Sequence, residues 1–245
     1  MSPIEPLLLS TTKILTFSGQ DNLTNASGFF FERDDHLYLV SSRHVMFDQP
    51  SHHIPDRIEL EIHVNKHNMA ESTGFSVLLY RNEKSVWRQA TDSAGEIDVA
   101  VIELDKSALP ETMVYSAFTP AHLLKPDTNV DVGTQLLVVG YPLGFHDTLH
   151  HIPVVRTGSL ASSFGLRFQG SGFFLTDART HRGISGAPVV MRTVSQNPIL
   201  GELQCYLLGI HSARLDLGTR EVDLDEALGL NCSWYADILL TLTKN

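Results

Sequence analysis

Residues 183–190 read GISGAPVV, a serine set among glycines at the entrance to an apolar, β-branched run. A serine hydroxyl is a weak nucleophile. To attack a carbonyl it needs an adjacent base, a third group that orients the base, and donors aimed at the developing oxyanion. Gly183 supplies the backbone freedom that a donor loop requires, and Gly186 keeps the space behind Ser185 clear. The amides of Gly183 and Ser185 are therefore the expected oxyanion donors, with Ala187 and Pro188 leading into the strand. A lone G-x-S-G is a weak signal, because a Gly-Ser turn explains it equally well.

Two upstream stretches change its weight. SSRHVM (41–46) places His44 directly behind the apolar run LYLV, at a strand end where side chains face a cleft. EIDVAVIEL (96–104) places Asp98 at the start of another strand, with apolar residues alternating behind it. Each alone reads as a surface histidine or a strand-capping aspartate. Together they run His44, Asp98, Ser185, the chain order of the chymotrypsin triad.

The surroundings are β-rich. Alternation and turn clusters predict strands near 13–18, 28–32, 37–41, 57–64, 76–80 and 99–104. ERDDH (32–36) is the hairpin loop between the second and third. A second set is predicted near 135–139, 154–159, 172–176, 188–192, 205–211 and 228–231. Between the sets, residues 110–133 carry three prolines and little alternation, the composition of a connection. The ending WYADILLTLTKN spaces Ile238, Leu239 and Leu242 for a short helix packed on the second set. Strand counting thus suggests an all-β chain of two units in tandem: 1–115 with His44 and Asp98, a linker at 116–130, and 131–245 with Ser185 and the helix.

Composition excludes several classes. The chain has 245 residues, 42% hydrophobic and 19% charged, an ordinary globular balance. A net charge of −10 argues against a nucleic-acid binder and against attraction to anionic membranes. Cys205 and Cys232 are too few for a disulfide framework and read as small buried hydrophobes in a reducing compartment. MSPIEPLLLSTTK has only three consecutive leucines behind an acidic residue, unlike a signal peptide. No run approaches the roughly 18 apolar residues of a membrane span. A cytoplasmic location is expected, and oligomeric state is left open.

The blocks ASGFFF, LVSSRHV, IDVAVIEL, VVGYPLG, GISGAPVV and GIHSA together resemble the trypsin/chymotrypsin-like serine peptidase superfamily, near its bacterial and HtrA-like branches. The resemblance runs from about Gly28 to about Tyr235. It implies two six-stranded antiparallel β-barrels with the catalytic residues in the cleft between them, and a protein or peptide as substrate. It also implies that His44 is the base, Asp98 its orienting partner, Ser185 the nucleophile, and Ser212 a support for Asp98. Ile184 stands where trypsin has an aspartate that pairs with a newly cut N-terminus, so activation by that ion pair is not expected. HtrA-like relatives usually carry a peptide-binding domain after the protease; none is expected after Asn245.

The pocket is expected at Arg179 and Thr180, with a wall at GIHSAR after Gly209. A threonine five residues before the nucleophile and a histidine in G-x-H resemble glutamyl endopeptidases and picornavirus-type 3C proteases. Thr180 and His211 can hydrogen-bond a carboxylate or amide, and Arg179, Arg182 and Arg214 add positive charge. A preference for Glu or Gln at P1 follows; the rival is that His211 fills the strand face and bonds internally.

Other signals are set aside. His52–His53, His63 with His67, and His146 with His150–His151 have zinc-like spacings, yet lie in polar contexts without cysteines or an E-x-x-H frame. They read as solvated histidines, so no metal and no cofactor are expected. EVDLDEALG (221–229) reads as an exposed acidic loop. Two rivals remain: a catalytically silent binding or chaperone-like module of the same fold, and an α/β-hydrolase esterase. The esterase fits poorly. Ala187 occupies the last glycine of its G-x-S-x-G, and its late histidine would have to be His211, with only Glu202 between.

Overall fold

Asp34 and Asp35 both adopt positive φ, 51° and 64°. This two-residue turn matches the right-handed twist of the strands it joins, Asp21–Arg33 and His36–Ser41. ERDDH therefore turns where its composition predicts. The computed structural model describes residues 4–125, 128–193, 201–214 and 229–244.

The first sheet orders seven antiparallel strands as Ser72–Leu78, Arg57–His63, Thr11–Ser18, Asp21–Arg33, His36–Ser41, Ala100–Leu104 and Trp87–Arg88. The sequence predicts six. The seventh, Trp87–Arg88, pairs with Val101 and Ile102 but is two residues long, too short to leave an alternating pattern. The Val86 amide donates to the Leu79 carbonyl (3.0 Å), which draws the two outermost strands together.

The second sheet orders six antiparallel strands as Val154–Ser159, Gln135–Gly140, Pro188–Arg192, Cys205–Arg214, Asn231–Tyr235 and Phe173–Thr176. A bridge between Leu160 and Thr176 ties its two edges. The last strand is Asn231–Tyr235 and not 228–231; position 228 and the acidic tract 221–228 lie outside the described residues. The architecture is mostly β, two antiparallel sheets with a short C-terminal helix.

The described part of the proline-bearing segment 110–133 is stitched to both sheets. Phe118 is fully buried; its amide donates to Phe30 and its carbonyl accepts from Glu32. Leu123 then bridges Leu207 of the second sheet. Pro120 opens a 3-10 turn, Pro120–His122, where its missing amide costs nothing.

The C-terminus corrects a second expectation. Trp234 and Tyr235 complete a strand, so only the 3-10 turn Ala236–Ile238 and the helical turn Leu239–Leu242 remain. Leu239 and Leu242 sink into a core shared with Tyr38 and Val101 of the first sheet. Arg33 and Arg88 of the first sheet donate to the carbonyls of Leu240 and Leu242, satisfying orphan groups of the helix end. The helix thus fastens back onto the first sheet instead of lying only on the second. Each fully buried leucine or phenylalanine in such a core contributes about 1.5–3 kcal/mol. Cys205 and Cys232 are unpaired. Among the described residues, no helix is long and apolar enough to cross a membrane.

Candidate active site

His44 sits on a helical turn, Arg43–Met46, directly after the strand His36–Ser41. Its neighbours Val45 and Met46 are buried in the first sheet's core and fix the turn. Asp98 lies between buried Ile97 and Val99, just ahead of the strand Ala100–Leu104. The carboxylate holds His44 twice: Oδ1 accepts from the His44 amide (2.8 Å) and Oδ2 lies 2.7 Å from Nδ1. The Ser212 hydroxyl donates to Oδ2 as well (2.5 Å).

Burial opposes charge on both partners, and their interaction overcomes it. For Asp98, desolvation pushes the pKa up, but the His44 ring, the Ser212 hydroxyl and the His44 amide bring it below the ordinary 3.8. For His44, desolvation pushes the pKa down, and the bond to and charge of Asp98 raise it above 6.5. With Nδ1 held by the carboxylate, Nε2 is the nitrogen left with a free lone pair.

The Ser185 turn is anchored from below by Ile184, fully buried in the second sheet's core. Gly183 and Gly186 adopt φ of +91° and +85°. A Cβ on Gly186 would strike the Ser41 hydroxyl and the Ser27 carbonyl, and one on Gly183 would strike the Tyr141 carbonyl and the Asn25 side chain. Only glycine fits either place. The Gly186 amide donates to the His211 carbonyl (2.7 Å), locking the turn to the strand Cys205–Arg214. Among the described residues, the amides of Gly183 and Ser185 have no acceptor within the protein. The Ser185 hydroxyl donates to the Ser212 carbonyl (3.0 Å) and not to His44.

A family model for the trypsin-like peptidase domain matches residues 26–195. The chain belongs to this family. No curated protein sequence matches it. Among solved structures, a serine endoprotease from Yersinia pestis superposes with a TM-score of 0.55 at 17% identity, covering 96% of this chain. The chain spans only 62% of that protein's length. A protease from M. tuberculosis in its active form gives 0.50 at 14% identity, covering 99% of this chain and 86% of the other. Identities this low speak for the fold alone.

The trypsin-like domain contains a hub that the sequence does not announce. Ser27 is fully buried. Its hydroxyl donates to the Gly183 carbonyl (2.8 Å) and accepts from the Tyr141 amide (3.0 Å), while its own amide donates to the Ser185 carbonyl (3.0 Å). Ser27 thereby joins the first sheet to the Ser185 turn. The one signal available was a serine inside the apolar block ASGFFF, where a polar side chain needs buried partners. Ser27→Ala would leave a buried carbonyl and a buried amide unpaired at about 1–3 kcal/mol each. A lower denaturant midpoint with unchanged m-value is the expected result.

The residues expected to form the pocket are placed unequally in this trypsin-like domain. Thr180 is buried and its hydroxyl donates to Asn231 Oδ1 (2.5 Å), so its proton is committed internally. Asn231 also donates to the carbonyls of Thr176 and Ala178, bracing that segment, a role that nothing in its local sequence signals. His211 is buried, its backbone ties to Ala187, Gly186 and Ser42, and its Nδ1 has no partner. Burial, then the nearby His44, push the His211 pKa down to about 3, so the ring is neutral at working pH. Arg179 and Arg182 are exposed. Arg214 ends the strand Cys205–Arg214, and its side chain lies outside the described residues.

Proposed function

We propose that the chain is a serine endopeptidase that cleaves peptide bonds through an acyl-enzyme, with Ser185 as nucleophile, His44 as general base and Asp98 as its orienting partner. The observation that carries this reading is the double hold of Asp98 on His44, backed by Ser212, in a domain whose GISGAP turn leaves two amides free. Residues 1–115 would carry the base and its partner, residues 131–245 the nucleophile and pocket, with 116–130 between them.

Ser185 Oγ bonds to the substrate carbonyl carbon while His44 Nε2 takes its proton. The carbonyl oxygen becomes an oxyanion and accepts from the Gly183 and Ser185 amides. The tetrahedral species collapses, the C–N bond breaks, and His44 returns the proton to the leaving amine. Water repeats the sequence through His44 and releases the acid, restoring Ser185. The resting bond from Ser185 to the Ser212 carbonyl fits an unliganded site, since catalytic bonds of this kind often tighten only with substrate. It is also the one observation that favours a catalytically silent module of the same fold.

For specificity, a neutral His211 offers a hydrogen bond and not a charge. A Glu or Gln side chain at P1 matches that donor, with the exposed Arg179 and Arg182 contributing little. Digestion of a peptide library read by mass spectrometry is expected to show cuts after Glu or Gln, weakened roughly tenfold or more in His211→Ala. Cuts after Lys or Leu with none after Glu or Gln would overturn the pocket reading and leave the triad standing. Two unpaired cysteines support a reducing, cytoplasmic setting.

A further inference from the structure

We infer that Glu61, His146 and His151 form a zinc site fastening the segment 141–152 to the strand Arg57–His63. One donor atom from each residue lies within 4.8 Å of the other two. The histidines come from the stretch between two strands of the second sheet, whereas Glu61 comes from the first sheet. The third ligand is thus supplied across the fold, where local sequence spacing does not show it.

The tautomer at His146 is set by chemistry. Its Nδ1 lies 2.6 Å from the Gly144 carbonyl, which can only accept. Nδ1 therefore carries the proton and Nε2 presents a bare lone pair, the usual outer-shell arrangement of a metal-binding histidine. His151 is the more telling residue. Its Nδ1 is buried and lies 2.7 Å from Glu61 Oε1, yet the contact is too misaligned to count as a hydrogen bond. A pair held this close yet misaligned for a hydrogen bond is what a cation between the two atoms would satisfy. The Glu61 carboxylate keeps Lys13 at 3.2 Å on its other oxygen, so it would ligate through Oε1 alone.

Two imidazole nitrogens and one carboxylate oxygen are a zinc donor set with a fourth position for water. Bonds of about 2.0–2.1 Å place tetrahedral donors about 3.3 Å apart. Small rotations of these half-buried side chains would bring the three donors to that spacing, opening the 2.7 Å pair slightly. Tyr141 supports the site by donating to the His151 carbonyl (3.3 Å) and packing its ring against His146. The same segment donates the Leu143 amide to the Arg182 carbonyl (2.6 Å), beside Gly183, so the clamp stands behind the Ser185 turn.

The test is zinc titration of the metal-stripped full chain against a chromogenic chelator, in a His44→Ala background that removes the His44–Asp98 pair as a competing site. One zinc per chain at sub-micromolar affinity is expected, with a rise in Tm. Glu61→Gln, His146→Ala and His151→Ala should each weaken binding tenfold or more, while His67→Ala and His150→Ala leave it unchanged. X-ray absorption of the zinc-loaded chain with all three ligands intact should show two imidazoles and one carboxylate oxygen at about 2.0–2.1 Å, independent of how the variants fold. Failure to bind zinc at micromolar concentrations, or stoichiometric zinc that survives loss of these ligands, would overturn the assignment.

Discussion

Ser185→Ala is expected to lower kcat on a cleaved peptide by about 10⁶-fold with little change in Tm. In the proposed mechanism the hydroxyl is the atom that forms the acyl bond. Structurally it makes one hydrogen bond, to the Ser212 carbonyl, from a half-buried position. Losing a bond of that kind costs about 0.5–1.5 kcal/mol. The turn itself is held by other means: buried Ile184, the Gly186–His211 bond and the Ser27 hub. Adding His44→Ala to the variant should lower the rate no further, because nucleophile and base act as a unit. Steady-state kinetics with thermal melts on the same samples check both points. A loss below tenfold would remove Ser185 from the chemistry.

Asp98→Asn is expected to lower kcat by about 10⁴-fold at neutral pH. The carboxylate accepts from the His44 Nδ1 proton, the His44 amide and the Ser212 hydroxyl. An amide at this position can donate to Nδ1, which moves the ring proton to Nε2 and disables the base. The pH profile separates this from simple unfolding. In the proposed mechanism neutral His44 is the active form, and its pKa lies above 6.5 because Asp98 outweighs burial. The acid limb of kcat/KM should therefore have its midpoint above 6.5 in the parent and shift downward once the carboxylate is gone.

The same pair shapes stability. The raised His44 pKa contributes stability that is complete below about 6.5 and lost as pH rises through the folded value. The depressed Asp98 pKa contributes stability present above about 3.8 and lost as pH falls through the folded value.

Legibility followed the range of each interaction. ERDDH was readable because a two-residue turn is written in adjacent residues. The strand Trp87–Arg88 was not, because a two-residue strand is defined by its partner. His44, Asp98 and Ser185 were each ambiguous alone and became a pattern through their order. Ser27 and Asn231 escaped notice since their partners are backbone groups far along the chain, and backbone carbonyls leave no mark on composition. The bonding of the residues proposed for the pocket is not legible in sequence: His211 sits buried with an unpartnered ring nitrogen, and Thr180 is tied to Asn231 far along the chain. The helix is legible but its second contact surface is not, since two leucines specify an apolar contact without naming both sheets that supply it.

The central claim is that Ser185 is a nucleophile activated by His44. Its most direct measurement is reaction of the full chain with a fluorophosphonate, followed by peptide mapping of the adduct. The account predicts one adduct per chain, on Ser185, formed far more slowly in His44→Ala. A folded chain that takes up no label, or that takes it up on another serine with His44 irrelevant to the rate, would contradict it.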